Sequence, residues 1–169
     1  PNVTLEVTSD LSRNLLQRHR NGEFDLVVAL HEEGSTGGMQ IHTEPLTWFT
    51  SADHDRHRQD PLPLVLAPPP CIYRARILQT MQAQGTPVRI SYLSSSYDAV
   101  LAAVRAGLGL TAMARSAIPA DARVLSERDG LPSLGDLDLR LHRTSGGSAG
   151  SAIGYLEDYI VQSFVAAKV

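Results

Sequence analysis

The sequence predicts an α/β fold built from two similar lobes, and three observations support this. Short apolar runs are typical of strands, and stretches with apolar residues at helical spacing lie between them. The strand and helix cycle starts again after a polar segment at residues 51–60. The chain has 169 residues, 43% of them hydrophobic, which is enough for a core that needs no metal or disulfide.

Composition narrows the class of protein. The single cysteine, Cys71, excludes an internal disulfide and favours a reducing compartment, so we predict a cytoplasmic location. No run approaches the ~20 apolar residues of a membrane span, and no export signal precedes the first predicted strand. The net charge is −3 and the basic residues are scattered, which argues against nucleic-acid binding by these residues themselves.

The first lobe is predicted to begin with a strand and a helix. Apolar and polar residues alternate over residues 3–7, which predicts a strand with one covered face. A helix follows from about Leu11, with Ser9 or Asp10 as its N-terminal cap and Asn21-Gly22 as its end.

A continuous apolar run at residues 26–30 predicts a strand buried on both faces of a parallel sheet. With the preceding strand and helix it would form a βαβ unit. The glycine-rich residues 34–38 predict a loop, and residues 39–50 predict a long strand or a strand pair.

The second lobe repeats the pattern in residues 61–125. Strands are predicted at residues 62–66, 88–93 and 108–113, and helices at residues 71–84 and from Ser94-Ser95-Ser96 to Gly107. A further strand at residues 137–141, a Gly/Ser loop at residues 144–150 and an amphipathic helix that contains Ile153 and Phe164 close the chain.

The strongest local signal for a binding site is Ser94-Ser95-Ser96, where a strand meets a helix. Hydroxyls and unpaired backbone N–H groups at a helix start can hold a carboxylate or another anion, and ligands bind at strand ends in open α/β sheets. A simple N-cap role explains the same serines equally well.

Other motifs give weaker signals. His54 and His57 lie in a polar loop whose spacing fits no zinc pattern, so no metal or cofactor is predicted. Cys71, at a predicted helix start, is far more typical of a structural cysteine than of a reactive thiol. Trp48 fits a core position better than a cleft, and Gly107 and Gly109 follow a helix, the reverse of a dinucleotide fingerprint.

His31 and Glu32 end the apolar strand at residues 26–30, where they could face a cleft, cap the strand or contact solvent. The sequence shows no recognisable set of nucleophile, base and oxyanion donor to accompany them. The residues alone therefore favour a binding domain over an enzyme.

The order of these segments resembles the C-terminal effector-binding domain of LysR-type transcriptional regulators. The segments that carry the resemblance are VTLEVTSDLSRNLLQRHRNGEFDLVVAL, EPLTWFT, LPLVLAPPPCIYR, VRISYLSSSYDAVLAAVRAGLGLTAMARSAIP and LRLHR. No single segment is specific to this family, but the order and register of the segments are specific. Together the segments cover nearly the whole chain.

The resemblance implies two Rossmann-like lobes of the type 2 periplasmic-binding-protein kind. Lobe I would comprise residues 1–53 and 130–169, and lobe II residues 61–125, with hinge crossings near residues 51–60 and 126–136. A small-molecule effector, an anion among the candidates, would bind between the lobes. The matching effector-contact positions are Ser12, Leu30, His31, Ser95, Ser96 and Thr111.

The chain also departs from that pattern. It lacks the winged helix-turn-helix and linker helix, so DNA would be bound only through a segment absent here, and a homodimer or tetramer is expected. The strand and helix that normally precede residue 3 are absent too, so lobe I is predicted to be incomplete. Either its two remaining strands pair directly, or a neighbouring chain fills the gap.

Two other functions remain open from the sequence. A solute-binding protein of an uptake system shares the two lobes, and its gene would encode a signal peptide. A small α/β enzyme is a further alternative, for which His31 with Glu32 is the only local titratable pair.

Overall fold

Helices and strands alternate through much of the chain in the computed structural model, which describes residues 3–144 and 151–166. In chain order they are α1 (Ser12–Arg20), β1 (Leu26–Glu32), β2 (Met39–Ser51), β3 (Leu62–Leu66), α2 (Ile72–Ala83), β4 (Val88–Leu93), α3 (Tyr97–Arg105), β5 (Thr111–Ala114), β6 (Ala122–Leu125), β7 (Asp136–Arg143) and α4 (Ala152–Ala166). Most of the predicted Gly/Ser loop at residues 144–150 lies outside the described residues. Of the helices that are described, none combines the length and apolar character needed to cross a membrane.

The chain divides into two compact units. Unit 1 comprises residues 1–43 and 137–169, and unit 2 comprises residues 44–136. The sequence predicted the first crossing later, near residues 51–60. The strand β2 is continuous and runs from unit 1 into unit 2. The change of composition after β2 therefore marks the end of a strand inside unit 2.

In unit 1, β1 pairs in antiparallel orientation with β7, from Leu26 opposite Arg143 to Glu32 opposite Leu137. The alternate residues Val27 and Ala29 are buried and their β1 neighbours are half-buried. The predicted strand exists, but the prediction that it is buried on both faces of a parallel sheet is wrong. Its partner strand comes from the far end of the sequence, which an apolar run does not reveal.

Residues 3–10 form neither strand nor helix, so the predicted first strand and its βαβ unit are absent. Val3, Leu5 and Val7 are 62%, 66% and 76% exposed. An alternating pattern fixes which face each side chain would take, but a strand also needs a neighbouring backbone for its N–H and C=O groups. None of the described strands pairs with this segment, so direct pairing with β1 does not occur.

The first predicted helix is confirmed as α1. The Asp10 carboxylate accepts hydrogen bonds from the Leu11 backbone N–H at 2.6 Å and the Asn14 side-chain amide at 2.9 Å. It supports the first turn, although Leu11 rather than Ser9 or Asp10 holds the cap position itself. The helix ends at Arg20 with Asn21 as its C-cap, and Gly22 then takes a left-handed backbone with φ of +79°.

Unit 2 follows the sequence prediction closely. Strands β3 and β4 are parallel, Leu64 bridges to Leu110 in parallel, and β2 pairs in antiparallel orientation with β5 and β6. The helices α2 and α3 follow β3 and β4 as expected. The buried residues of one core cluster come from β2, β3, α3 and β5: Phe49, Val65, Val100, Leu101, Ala103, Val104 and Met113.

Two glycines of unit 2, Gly107 and Gly109, allow close packing. A Cβ on Gly109 would lie 2.5 Å from the Pro63 carbonyl oxygen, and one on Gly107 would lie 2.2 Å from the His54 ring. Gly107 also has a φ of +71°, which suits the residue that follows a helix. At both positions a neighbouring atom lies too close for a residue larger than glycine.

Candidate functional site

The serine turn of unit 2, Ser94 to Ser96, connects β4 to α3. The Ser94 N–H donates to the Leu66 carbonyl at 3.2 Å, and the Ser96 N–H donates to the Ser94 hydroxyl oxygen at 3.1 Å. The Ser96 hydroxyl oxygen accepts from the Ala99 N–H at 3.3 Å and caps α3. The N-cap role is thus present, while the O–H of Ser96 remains able to donate to a ligand.

The serine turn has one electrostatic feature that favours an anion and one that opposes it. Ser95 and Ser96 are exposed and lie beside the first N–H groups of α3, which favour negative charge. Asp98 places a carboxylate in the same first turn. That carboxylate weakens the attraction for a fully charged anion and favours a ligand that also brings hydroxyl donors.

Thr111 occupies the first position of β5, opposite Phe49 of β2. It is only 3% exposed. In this conformation a ligand cannot reach most of its surface, unlike that of Ser95.

The unit 1 residues Ser12, Leu30 and His31 lie together. The Ser12 hydroxyl oxygen accepts a hydrogen bond from the Leu30 backbone N–H at 3.0 Å and ties the start of α1 to β1. His31 follows Leu30 on the strand, and its Nε2 lies 2.9 Å from Nε2 of His142. The family resemblance predicted Ser12 at a helix start and Leu30 and His31 at a strand end as effector contacts, but it did not include His142.

His142 belongs to β7, and its ring stacks on that of His31 with centroids 5.0 Å apart. Its other neighbour is His19 of α1, edge-on at 6.0 Å. Burial lowers the pKa of His31, and Arg140 lowers it further, while Asp138 acts in the opposite direction. Burial, His31, His19 and Arg140 lower the pKa of His142. Both rings therefore favour the neutral form more than a free histidine does.

Asp138 of β7 is buried at 2% exposure. Its carboxylate accepts from the Thr43 hydroxyl at 2.7 Å, the Gln40 amide at 3.1 Å and the Gly34 N–H at 3.3 Å. Arg140 lies 3.5 Å away and donates to the carbonyls of Gly37 and Gly38. The two charges hold the glycine loop against β7.

The remaining candidate residues from the sequence lie in surroundings that are typical of structural residues. Trp48 is buried, and its indole N–H donates to the Pro132 carbonyl at 2.9 Å, so it is a core residue. Cys71 is buried at the start of α2. In the parts of the chain that the structure describes, no three His, Cys, Asp or Glu side chains converge as metal ligands, at His54 and His57 or elsewhere.

Unit 2 also contains a cavity of about 220 Å³ between β2 and α3, lined in part by Phe49, Leu101 and Val104. The ion pair of Arg105 with Asp121, whose shorter contact is 3.0 Å, lies beside it. Ligand pockets usually have volumes of roughly 300 to 1,000 Å³. The cavity is therefore a weaker candidate for an effector site than the serine turn.

Comparison with known proteins places these features in a family. The family model described as LysR substrate binding domain matches residues 1–165. The HTH-type transcriptional regulator PecT of Dickeya dadantii (strain 3937) is 33% identical over 136 residues, which are 80% of this chain and 43% of PecT. The chain thus spans less than half the length of this relative.

Solved structures agree at the level of the fold. The apo regulatory domain of HypT from Salmonella typhimurium has a TM-score of 0.74 at 16% identity, and the match covers 99% of this chain and 85% of that one. The CcmR regulatory domain of Synechocystis PCC6803, solved in complex with 2-PG, has a TM-score of 0.66 at 14% identity, with coverage of 91% and 80%. The fold predicted from the resemblance is confirmed, and the chain belongs to the LysR substrate binding domain family.

Proposed function

We propose that this chain is the effector-sensing domain of a LysR-type transcriptional regulator and acts without catalysis. The family match over residues 1–165 carries the proposal. The similarity to PecT supports a regulator over the solute-binding and enzyme alternatives, since PecT is an HTH-type transcriptional regulator. The bound 2-PG of CcmR supports a small-molecule ligand for this fold.

The proposed effector contacts are the predicted ones: Ser12, Leu30 and His31 in unit 1, and Ser95, Ser96 and Thr111 in unit 2. Ser95 and Ser96 are the strongest because they are exposed at the N-terminus of α3. Thr111 is the weakest because it is buried. The ligand class is a small hydroxylated acid, since a carboxylate suits the N–H groups and hydroxyls suit Asp98.

In the whole protein this domain would act through a shift of populations. An effector that fits one arrangement of the domain better stabilises that arrangement, and a coupled DNA-binding segment responds. We propose a cytoplasmic homodimer or tetramer that contacts DNA through an N-terminal winged helix-turn-helix outside the present chain.

A thermal-shift screen against small hydroxylated acids tests the proposal. A true effector stabilises by about 2.7 kcal/mol at a hundredfold excess over its dissociation constant. S95A and S96A are expected to weaken that effector by about 1 kcal/mol or more if each hydroxyl donates a buried hydrogen bond.

Ser126 provides a matched control for the cap. It also caps a short helix of unit 2, where its hydroxyl oxygen accepts from the Arg128 N–H at 3.3 Å. S126A should lower stability much as S96A does and leave ligand affinity unchanged. Equal affinity in S95A, S96A and the unaltered chain would refute the serine turn as the site.

A further inference from the structure

Three of the six histidines of the chain meet inside unit 1, and each comes from a different element. His19 lies on α1, His31 on β1 and His142 on β7. Residues directly opposite each other in an antiparallel pair share a face. His31 is opposite Asp138, and His142 is opposite Val27. Val27 and His31 are four residues apart on β1, so they share a face. Both imidazoles therefore lie on the same face of the β1–β7 pair.

The pair of rings is held by one contact that depends on protonation. The two Nε2 atoms lie 2.9 Å apart, which requires one N–H donor and one unprotonated acceptor. A first proton can be shared between the rings. A second proton removes the acceptor and places two positive charges at this short distance.

The surroundings offer little compensation for added positive charge. Arg140 of β7 lies near both rings, and His19 faces His142 from α1. The buried Asp138 carboxylate is already held by hydrogen bonds from β2 and the glycine loop, and by Arg140. On α1, Arg18 pairs with Glu23 at 2.8 Å. From β2, the uncharged Gln40 and Thr43 both donate to Asp138.

The rings also have little room to separate by moving His142. A Cβ added at Gly38 would lie 2.7 Å from Cε1 of His142, so the backbone of the loop stands directly behind this ring. His19 is fixed at the other side, where its Nδ1 lies 3.2 Å from the Phe24 carbonyl oxygen. Relief of charge repulsion must therefore displace His31 or the helix that carries His19.

We propose that the His31–His142 pair is an acid-sensitive switch, which when neutral holds α1 against the β1–β7 pair through the ring contact with His19, and which loosens α1 when protonated. This goes beyond effector binding, because it makes unit 1 responsive to protons without a ligand. The switch is also connected to the proposed effector site, because His31 follows Leu30, whose N–H donates to the Ser12 hydroxyl oxygen of α1.

Histidine NMR of the unaltered chain tests the switch directly. With EDTA present to remove metal ions, the ring Cε1–H resonances are followed from pH 8 to pH 4. We expect His31 and His142 to titrate below the ordinary pKa of ~6.5 and in two separate steps, as coupled groups do. A single shared step at the ordinary value would overturn the proposal, whatever the variants do.

Variants then connect titration to stability. The thermal midpoint of the unaltered chain should fall more between pH 7.5 and pH 5 than that of H142Q or H31Q, by about 3 °C. H54Q is the matched control, because it removes a half-buried histidine from unit 2 and should keep the full fall. An equal fall in H142Q, H31Q and the unaltered chain would show that the cluster is not the sensor.

Discussion

The two units place their polar groups differently. Unit 2 has an apolar core cluster, and its buried carboxylate, Glu44, accepts hydrogen bonds from the N–H and the hydroxyl of Ser116 at 2.8 Å and 2.9 Å. Unit 1 has a buried carboxylate, three clustered imidazoles and a glycine loop held by side chains. The helices and strands of unit 2 carry clear local signals in the sequence, whereas the histidine cluster of unit 1 joins residues that are far apart in the sequence.

The largest effect is expected at Asp138 of unit 1. D138A leaves the Thr43 hydroxyl and the Gly34 N–H without their acceptor and removes the countercharge of Arg140. Breaking a buried ion pair of this kind costs about 3 kcal/mol. Urea denaturation followed by far-UV circular dichroism measures the loss, and D53A, at an exposed aspartate, is the control.

The fluorescence of Trp48, the only tryptophan, reports on unit 2 in the same experiment. A loss in D138A below about 1 kcal/mol would show that the polar interior of unit 1 is not what stabilises it. If the transition of Trp48 shifts together with circular dichroism, the two units unfold as one.

The next effect is expected at Gly109 of unit 2. In G109A the new Cβ meets the Pro63 carbonyl oxygen, a rigid backbone atom, and overpacking of this kind costs about 2 kcal/mol. G22A in unit 1 is the matched comparison, because Gly22 has a positive φ but no atom within 4 Å of the new Cβ. It should cost about 1 kcal/mol from backbone strain alone.

The urea midpoints of G109A and G22A compare the cost of a steric clash with the cost of backbone strain. If G109A costs less than about 0.5 kcal/mol, the close approach of β3 to residue 109 is not a determinant of the fold of unit 2.

A smaller effect is expected at the cap of α3. S96A removes the acceptor of the Ala99 N–H and should lower stability by about 1 kcal/mol. S95A, one residue earlier, is exposed and should change stability by less than about 0.5 kcal/mol. Thermal unfolding without ligand measures both, and an equal loss would show that the serine turn is stabilised by its backbone alone.

The same contrast explains what the sequence could predict. Helix α3 has its serine cap, its buried Val100 and Val104, and Gly107 all within a dozen residues, so every signal is local. The strand at residues 3–7 was predicted wrongly because alternation says nothing about whether a partner strand is present. In the candidate site, Ser95 and Ser96 carry a local signal, but the contact of His31 with His142 depends on the register of β1 against β7.

The two units are also expected to lose stability at opposite ends of the pH range. Burial raises the pKa of Tyr73 in unit 2 from its ordinary value of 10.0 to about 12, despite a hydrogen bond with the backbone of Ala114. A folded pKa above the unfolded one gives stability that is fully present below pH 10 and is lost as the pH rises toward 12.

For Tyr73 the loss should reach about 1 kcal/mol by pH 11 and vanish in Y73F, measured as the difference in urea midpoint between pH 9 and pH 11. Absorbance at an ultraviolet wavelength specific for tyrosinate should show one of the five tyrosines ionising last, and Y73F should remove that step. In unit 1, His31 and His142 have lowered pKa values, so their contribution is present above pH ~6.5 and falls in acid. If Y73F leaves the alkaline loss unchanged, the pH response of unit 2 has another origin and the contrast with unit 1 holds only in acid.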